Sequence, residues 1–104
     1  MPKRTRKYED SLIESLKDPV EAAAYLNAHL SEDDGEDVFL LALRDVARAN
    51  GVGEIAETAS LGRESLYKAL SKDGNPKLST LRSVLKALGL KLSIECDDEG
   101  QKAS

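Results

Sequence analysis

The feature that most limits how this chain can fold is its punctuation. Helix starts and stops recur every ten to fifteen residues: Asp18-Pro19, the acidic run at 31–37, Asn50-Gly51, Ser60-Leu61-Gly62, the Asp-Gly-Asn-Pro sequence at 73–76, and Gly89. Asp is a good N-cap, Pro is tolerated at the first helical position, and Gly or Asn ends helices. Between these marks the apolar residues return every three to four positions, which is the spacing of one helix face. The pattern is therefore of short helices joined by tight turns. A chain of 104 residues makes one domain. Aromatics are scarce, limited to Tyr8, Tyr25, Tyr67 and Phe39 with no Trp, so Ala and Leu must build the core, which favours helices.

The expected elements follow from that spacing. Residues 1–10 are expected to form a flexible basic tail, and 11–96 a single helical domain. Leu12, Ile13 and Leu16 make a short apolar stripe. A helix is expected from Pro19 to Leu30, with Val20, Ala23, Ala24 and Leu30 inward and Tyr25 or Leu26 beside them. The next helix carries Phe39, Leu40, Leu43, Val46 and Ala47 inward and stops at Asn50-Gly51. Three short helices follow, near 52–59, 63–71 and 78–88. Their inward residues are Ile55, Ala56 and Ala59, then Leu66, Ala69 and Leu70, then Leu81, Val84, Leu85 and Leu88. Lys91 to Cys96 alternate polar and apolar, which predicts a β-strand. The acidic residues 97–104 are expected to be a flexible tail. The expectation is thus an all-α, five-to-six-helix domain with one short C-terminal β-strand.

Several function classes are disfavoured. No apolar run approaches the roughly 20 residues of a membrane span. One cysteine, Cys96, and one histidine, His29, do not suffice for an internal disulfide or a Cys/His zinc site. His29 is expected to cap a helix end, and Cys96 to be a small core or edge residue. The carboxylate pairs Asp33-Asp34 and Asp97-Asp98 lie in expected loops without a neighbouring base or phosphate cradle. The expectation is a cytoplasmic protein that is not an enzyme and carries no cofactor.

Charge supplies the positive clue. The net charge is −4, yet residues 61–91 hold seven basic side chains against Glu64 and Asp73. A locally basic segment in an acidic frame suits a phosphate-facing surface, and it also suits simple solvation of two helices. The segment 52–71 reads as a helix, a tight turn and a second helix. Leu66 and Leu70 bury one face of that second helix, so Arg63, Glu64, Ser65, Tyr67 and Lys68 point elsewhere. Arg and Lys on such an outer face can reach guanine edges in a major groove, and Ser can reach a phosphate or a base. Tyr67 can lie along a sugar or a base edge.

Residues 41–95, LALRDVARANGVGEIAETASLGRESLYKALSKDGNPKLSTLRSVLKALGLKLSIE, resemble the helix-turn-helix antitoxins of the HigA type within the XRE/Cro-repressor superfamily. The upstream DPVEAAAYLNAHL (residues 18–30) resembles the extra N-terminal helix of a subgroup of addiction-module antidotes, and the stretch RESLYKALSKDGNPKLSTL is the most specific part. The resemblance implies a lambda-repressor-like helix-turn-helix fold and a type II antitoxin that binds double-stranded operator DNA in the major groove as a homodimer, represses its own operon and neutralises a RelE/HigB-like toxin. It places base reading at Arg63, Glu64, Ser65 and Lys68. It places backbone contacts at Val52 and Gly53 through main-chain amides, and at Lys72, Asn75 and Lys77 through side chains; Tyr67 joins this group. Gly62 stands where many members carry Ser or Thr, and Val52 where many carry Gln. A lone strand at 91–96 must pair with a further strand of the chain, with its own copy, which would suit a homodimer, or with the toxin; otherwise it is a short extension packed on the helices. Two rival readings are a stand-alone XRE-type regulator with no toxin, and a protein-interaction module without DNA binding.

Overall fold

The structure is a computed structural model and describes residues 6–31 and 35–97. It contains six helices: α1 (Arg6–Ser15), α2 (Pro19–Ser31), α3 (Glu36–Ala49), α4 (Val52–Thr58), α5 (Arg63–Ala69) and α6 (Leu78–Ala87). The helix ends obey local chemistry. The Val20 main-chain N–H donates to Asp18 Oδ1 at 2.9 Å, so Asp18 caps α2 and Pro19 sits just inside it. Glu36 and Asp37 lie in the first turn of α3 and Arg48 in its last, each favourable toward the helix dipole. Gly51, at φ +93°, takes the left-handed conformation that ends α3 and starts α4.

Helix α3 is the hub. It packs against α1, α2 and α4, and α4 in turn packs against α5 and α6. Leu43 and Val46 of α3 are wholly buried, together with Leu66 and Leu70 from the α5 region and Val84 from α6. Phe39, Leu40, Ala47, Ile55, Ala56, Ala59, Leu85 and Leu88 complete the interior as their spacing predicts. No polar or charged residue is buried among the described residues. The side-chain amide of Asn50 donates to the carbonyls of Leu16 at 3.1 Å and Val46 at 2.9 Å, tying the end of α1 to the end of α3. No helix among the described residues is long and apolar enough to cross a membrane.

Three expectations are corrected. Residues 91–97 form no strand, and no strand occurs among the described residues. Alternation prepares a two-faced strand, but a strand exists only through hydrogen bonds to a neighbour, and the described residues supply none. Residues 6–10 belong to α1 rather than to a tail; Leu16, 2% exposed, anchors the chain just beyond α1, with Leu12 packed beside it. Residues 1–5 and 98–104 lie outside the described residues, as does part of the acidic run at 32–34. Finally, α2 is rotated from the expected phase. Ala22 and Leu26, one turn apart, face the core, while Val20 is 76% and Leu30 56% exposed. The small Ala22 lets α2 approach α3 closely, and a larger inward residue there would hold it off.

Candidate nucleic-acid interface

The candidate surface is built on the turn at 59–62. Ser60 takes the left-handed conformation at φ +59°. The Leu61 N–H donates to the Ala56 carbonyl at 2.8 Å and the Ser60 N–H to that of Glu57 at 3.1 Å. These two bonds form the Schellman closure that ends a helix and reverses the chain. Gly62 then caps α5 with extended backbone and no side-chain bond, at φ −72° and ψ 153°.

Helix α5 is only seven residues long, and burial of Leu66 and then Leu70 decides its orientation. Glu64 and Lys68, one turn apart, lie opposite that buried stripe, while Arg63 and Tyr67 border it, with Arg63 at the N-terminal end on the side toward α4. All four are exposed, and so is Ser65. The five side chains assigned to one surface from sequence are thus on one short helix and open to solvent. Arg63 also reaches back toward α4: a Cβ placed at Gly53 would lie 3.6 Å from its guanidinium. Gly53 and Arg63 are therefore neighbours, and a methyl at Gly53 would touch the guanidinium at ordinary van der Waals distance. Val52 is buried, so it can offer this surface main-chain groups only.

Lys72, Asn75 and Lys77 are exposed on the loop between α5 and α6. The loop is pinned to α5. The Ser71 hydroxyl donates to the Lys68 carbonyl at 2.8 Å, and the Gly74 N–H donates to the Ser71 carbonyl at 2.9 Å. Gly74 itself presses on α5: a Cβ there would collide with the Ala69 carbonyl and lie 2.9 Å from that of Lys68. Asn75 also lines an open cavity with His29, Leu30, Phe39 and Leu92, so it sits at the edge of the basic surface. None of Arg63, Lys68, Lys72 and Lys77 is ion-paired among the described residues; the ion pair there is Lys17–Glu14, at 3.3 Å.

Two participants escaped the sequence reading. Arg44, on α3, holds its guanidinium carbon 5.9 Å from the centroid of the Tyr67 ring, a cation–π contact that steadies the outer face of α5. Nothing in the sequence pairs residues so far apart. Gly74 is the other; its Asp-Gly dipeptide signals a turn but not a close approach to α5. The candidates set aside also have places. His29 is half-buried, with its ring edge-on to that of Tyr25 at a centroid distance of 4.9 Å. Cys96 is a free, exposed thiol rather than a core residue.

These features define an all-helical domain that presents one short polar and basic helix over an aliphatic core. A family model described as a probable addiction module antidote protein matches residues 6–96, and the chain belongs to that family. It is 45% identical over 84 residues to an uncharacterised protein of Haemophilus influenzae, a match covering 81% of this chain and 86% of the relative. No solved structure matches it. Membership gives the chain an antitoxin role and implies a toxin as its partner.

Proposed function

We propose that this protein is a DNA-binding antitoxin of the HigA type, within the XRE/Cro helix-turn-helix superfamily. It neutralises a RelE/HigB-like toxin and, as a homodimer in the cytoplasm, represses its own operon. It acts by binding and not by catalysis. The observation that carries the reading is the outer face of α5, where Arg63, Glu64, Tyr67 and Lys68 stand exposed above buried Leu66 and Leu70. Arg63 and Lys68 read base edges, with Glu64 and Ser65 completing the recognition face. Lys72, Asn75, Lys77, the edge of Tyr67 and the amides at Val52 and Gly53 hold the phosphate backbone. A two-fold dimer carries two such helices to half-sites one DNA turn apart.

The test is fluorescence anisotropy with a duplex from upstream of the gene, beside a scrambled duplex. The expected result is preferential binding that falls by about three decades between about 50 and 200 mM salt, as about six phosphate contacts require. The Arg63→Ala/Lys68→Ala variant loses the preference. Equal affinity for both duplexes at low salt would overturn the DNA-binding part and leave the antitoxin role.

A further inference from the structure

The C-terminal end of α6 delivers the chain to a fixed place. The Gly89 N–H donates to the Lys86 carbonyl at 3.0 Å and the Leu90 N–H to that of Leu85 at 2.7 Å. Gly89, at φ +80°, sits beside Pro19 at the start of α2. From there Lys91–Asp97 run without regular structure and are exposed throughout, with Leu92 43% and Ile94 100% exposed. Leu92 is also on the rim of an apolar groove of about 420 Å³ between α2 and α6, which it shares with Val20, Leu26, Leu30 and Phe39. Exposed apolar residues on a segment and on the groove beside it mark a surface that another chain covers.

We propose that a second copy of this chain covers it, through antiparallel pairing of residues 91–95 about a two-fold axis at Ser93. The proposal rests on the homodimer reading above and deepens it. Charge selects the arrangement. Parallel pairing would set Lys91 beside Lys91 and Glu95 beside Glu95. Antiparallel pairing centred on Glu95 would also oppose like charges; centring on Ile94 would bring Lys91 opposite Asp97, which already has a partner of its own, and would leave Glu95 facing Ser93 without a cation. Centring on Ser93 sets Lys91 of each copy opposite Glu95 of the other and Leu92 opposite Ile94, so charges match on one face and apolar groups on the other. Registers that differ by one residue would set apolar against polar across the ribbon. The Leu90 N–H is already engaged on α6, so the ladder begins at Lys91. A two-stranded ribbon is marginal alone, and the apolar rim at Leu92 and Leu30 supplies the cover it needs.

The experiment uses the full-length protein without DNA. Sedimentation measures the dimer of wild type, Lys91→Glu, Glu95→Lys and the double reversal; circular dichroism checks that helix content is unchanged. Each single reversal weakens the dimer about tenfold, and the double reversal restores it. In a Cys96→Ser background, Ser93→Cys cross-links across the axis under mild oxidation and Lys91→Cys does not. A monomeric wild type, a dimer indifferent to the reversals, or cross-linking through Lys91→Cys as fast as through Ser93→Cys overturns the proposal. A stable dimer in which Ser93→Cys fails to cross-link overturns the ribbon while the homodimer reading stands.

Discussion

The side-chain amide of Asn50 reaches the main-chain carbonyl of Leu16, 34 positions earlier, at 3.1 Å. One residue thus closes α3, whose Val46 carbonyl it also caps, and holds the end of α1 against it. Replacement by Ala removes both bonds and leaves the Leu16 carbonyl without this partner. Asn50→Ala is expected to cost about 1–3 kcal/mol in urea denaturation. An effect within 0.5 kcal/mol, the usual scatter of neutral surface changes, would show the bond to be incidental.

Ser60 is a non-glycine residue held at φ +59°. The left-handed region costs such a residue roughly 1–2 kcal/mol, and Gly avoids the cost. Its side chain is exposed, so nothing is lost from the core. Ser60→Gly is expected to raise stability by about 0.5–1 kcal/mol, seen as a higher denaturation midpoint with an unchanged slope.

Gly62 and Gly74 should respond in opposite ways. A Cβ at Gly62 meets nothing closer than Ser65 Oγ at 3.9 Å, and its φ of −72° suits any residue. Gly62→Ser restores a capping hydroxyl and is expected to stabilise α5 by about 0.5–1 kcal/mol. Gly74→Ala drives a methyl into the Ala69 carbonyl, and the loop must move away from α5. It is expected to lower stability by about 1–3 kcal/mol and to weaken DNA binding through displaced Lys72 and Lys77. Equal melting of the two variants would refute the contrast.

The contact roles separate by specificity. Lys72→Ala is expected to weaken binding to operator and scrambled duplexes alike and to lower the salt slope by about one. Arg63→Ala is expected to cost about 1–3 kcal/mol on the operator and much less on the scrambled duplex. Parallel losses on both duplexes for Arg63→Ala would remove it from base reading.

What could be read in advance followed the strength of each local signal. Helix α3 was legible because Phe39, Leu40, Leu43, Val46 and Ala47 contrast sharply with Arg44, Asp45 and Arg48 around the same cylinder. Helix α2 was legible as a helix but not in its phase: Val20, Ala22, Ala23, Ala24, Leu26, Ala28 and Leu30 surround it almost completely. Contact with α3 then decided the phase, favouring Ala22 over Val20. The exposure of α5 residues followed from Leu66 and Leu70. The neighbours of those residues did not, because Arg44 with Tyr67 and Gly53 with Arg63 meet only when helices cross. Alternation at 91–96 fixed the faces of a possible strand and said nothing of its partner.

The interior contains no polar side chain among the described residues. Aliphatic groups attract one another without direction, so they hold the helices together without telling them apart. The addresses are written at the rim instead, where Asn50 finds Leu16 and the Tyr25 hydroxyl donates to the Asp45 carboxylate at 3.0 Å. The contents of such a core can be exchanged at constant volume with little consequence, whereas erasing a rim address lets the same helices settle in a neighbouring alignment. Identity of the fold is therefore written at the rim, while its strength draws on the core and the rim together.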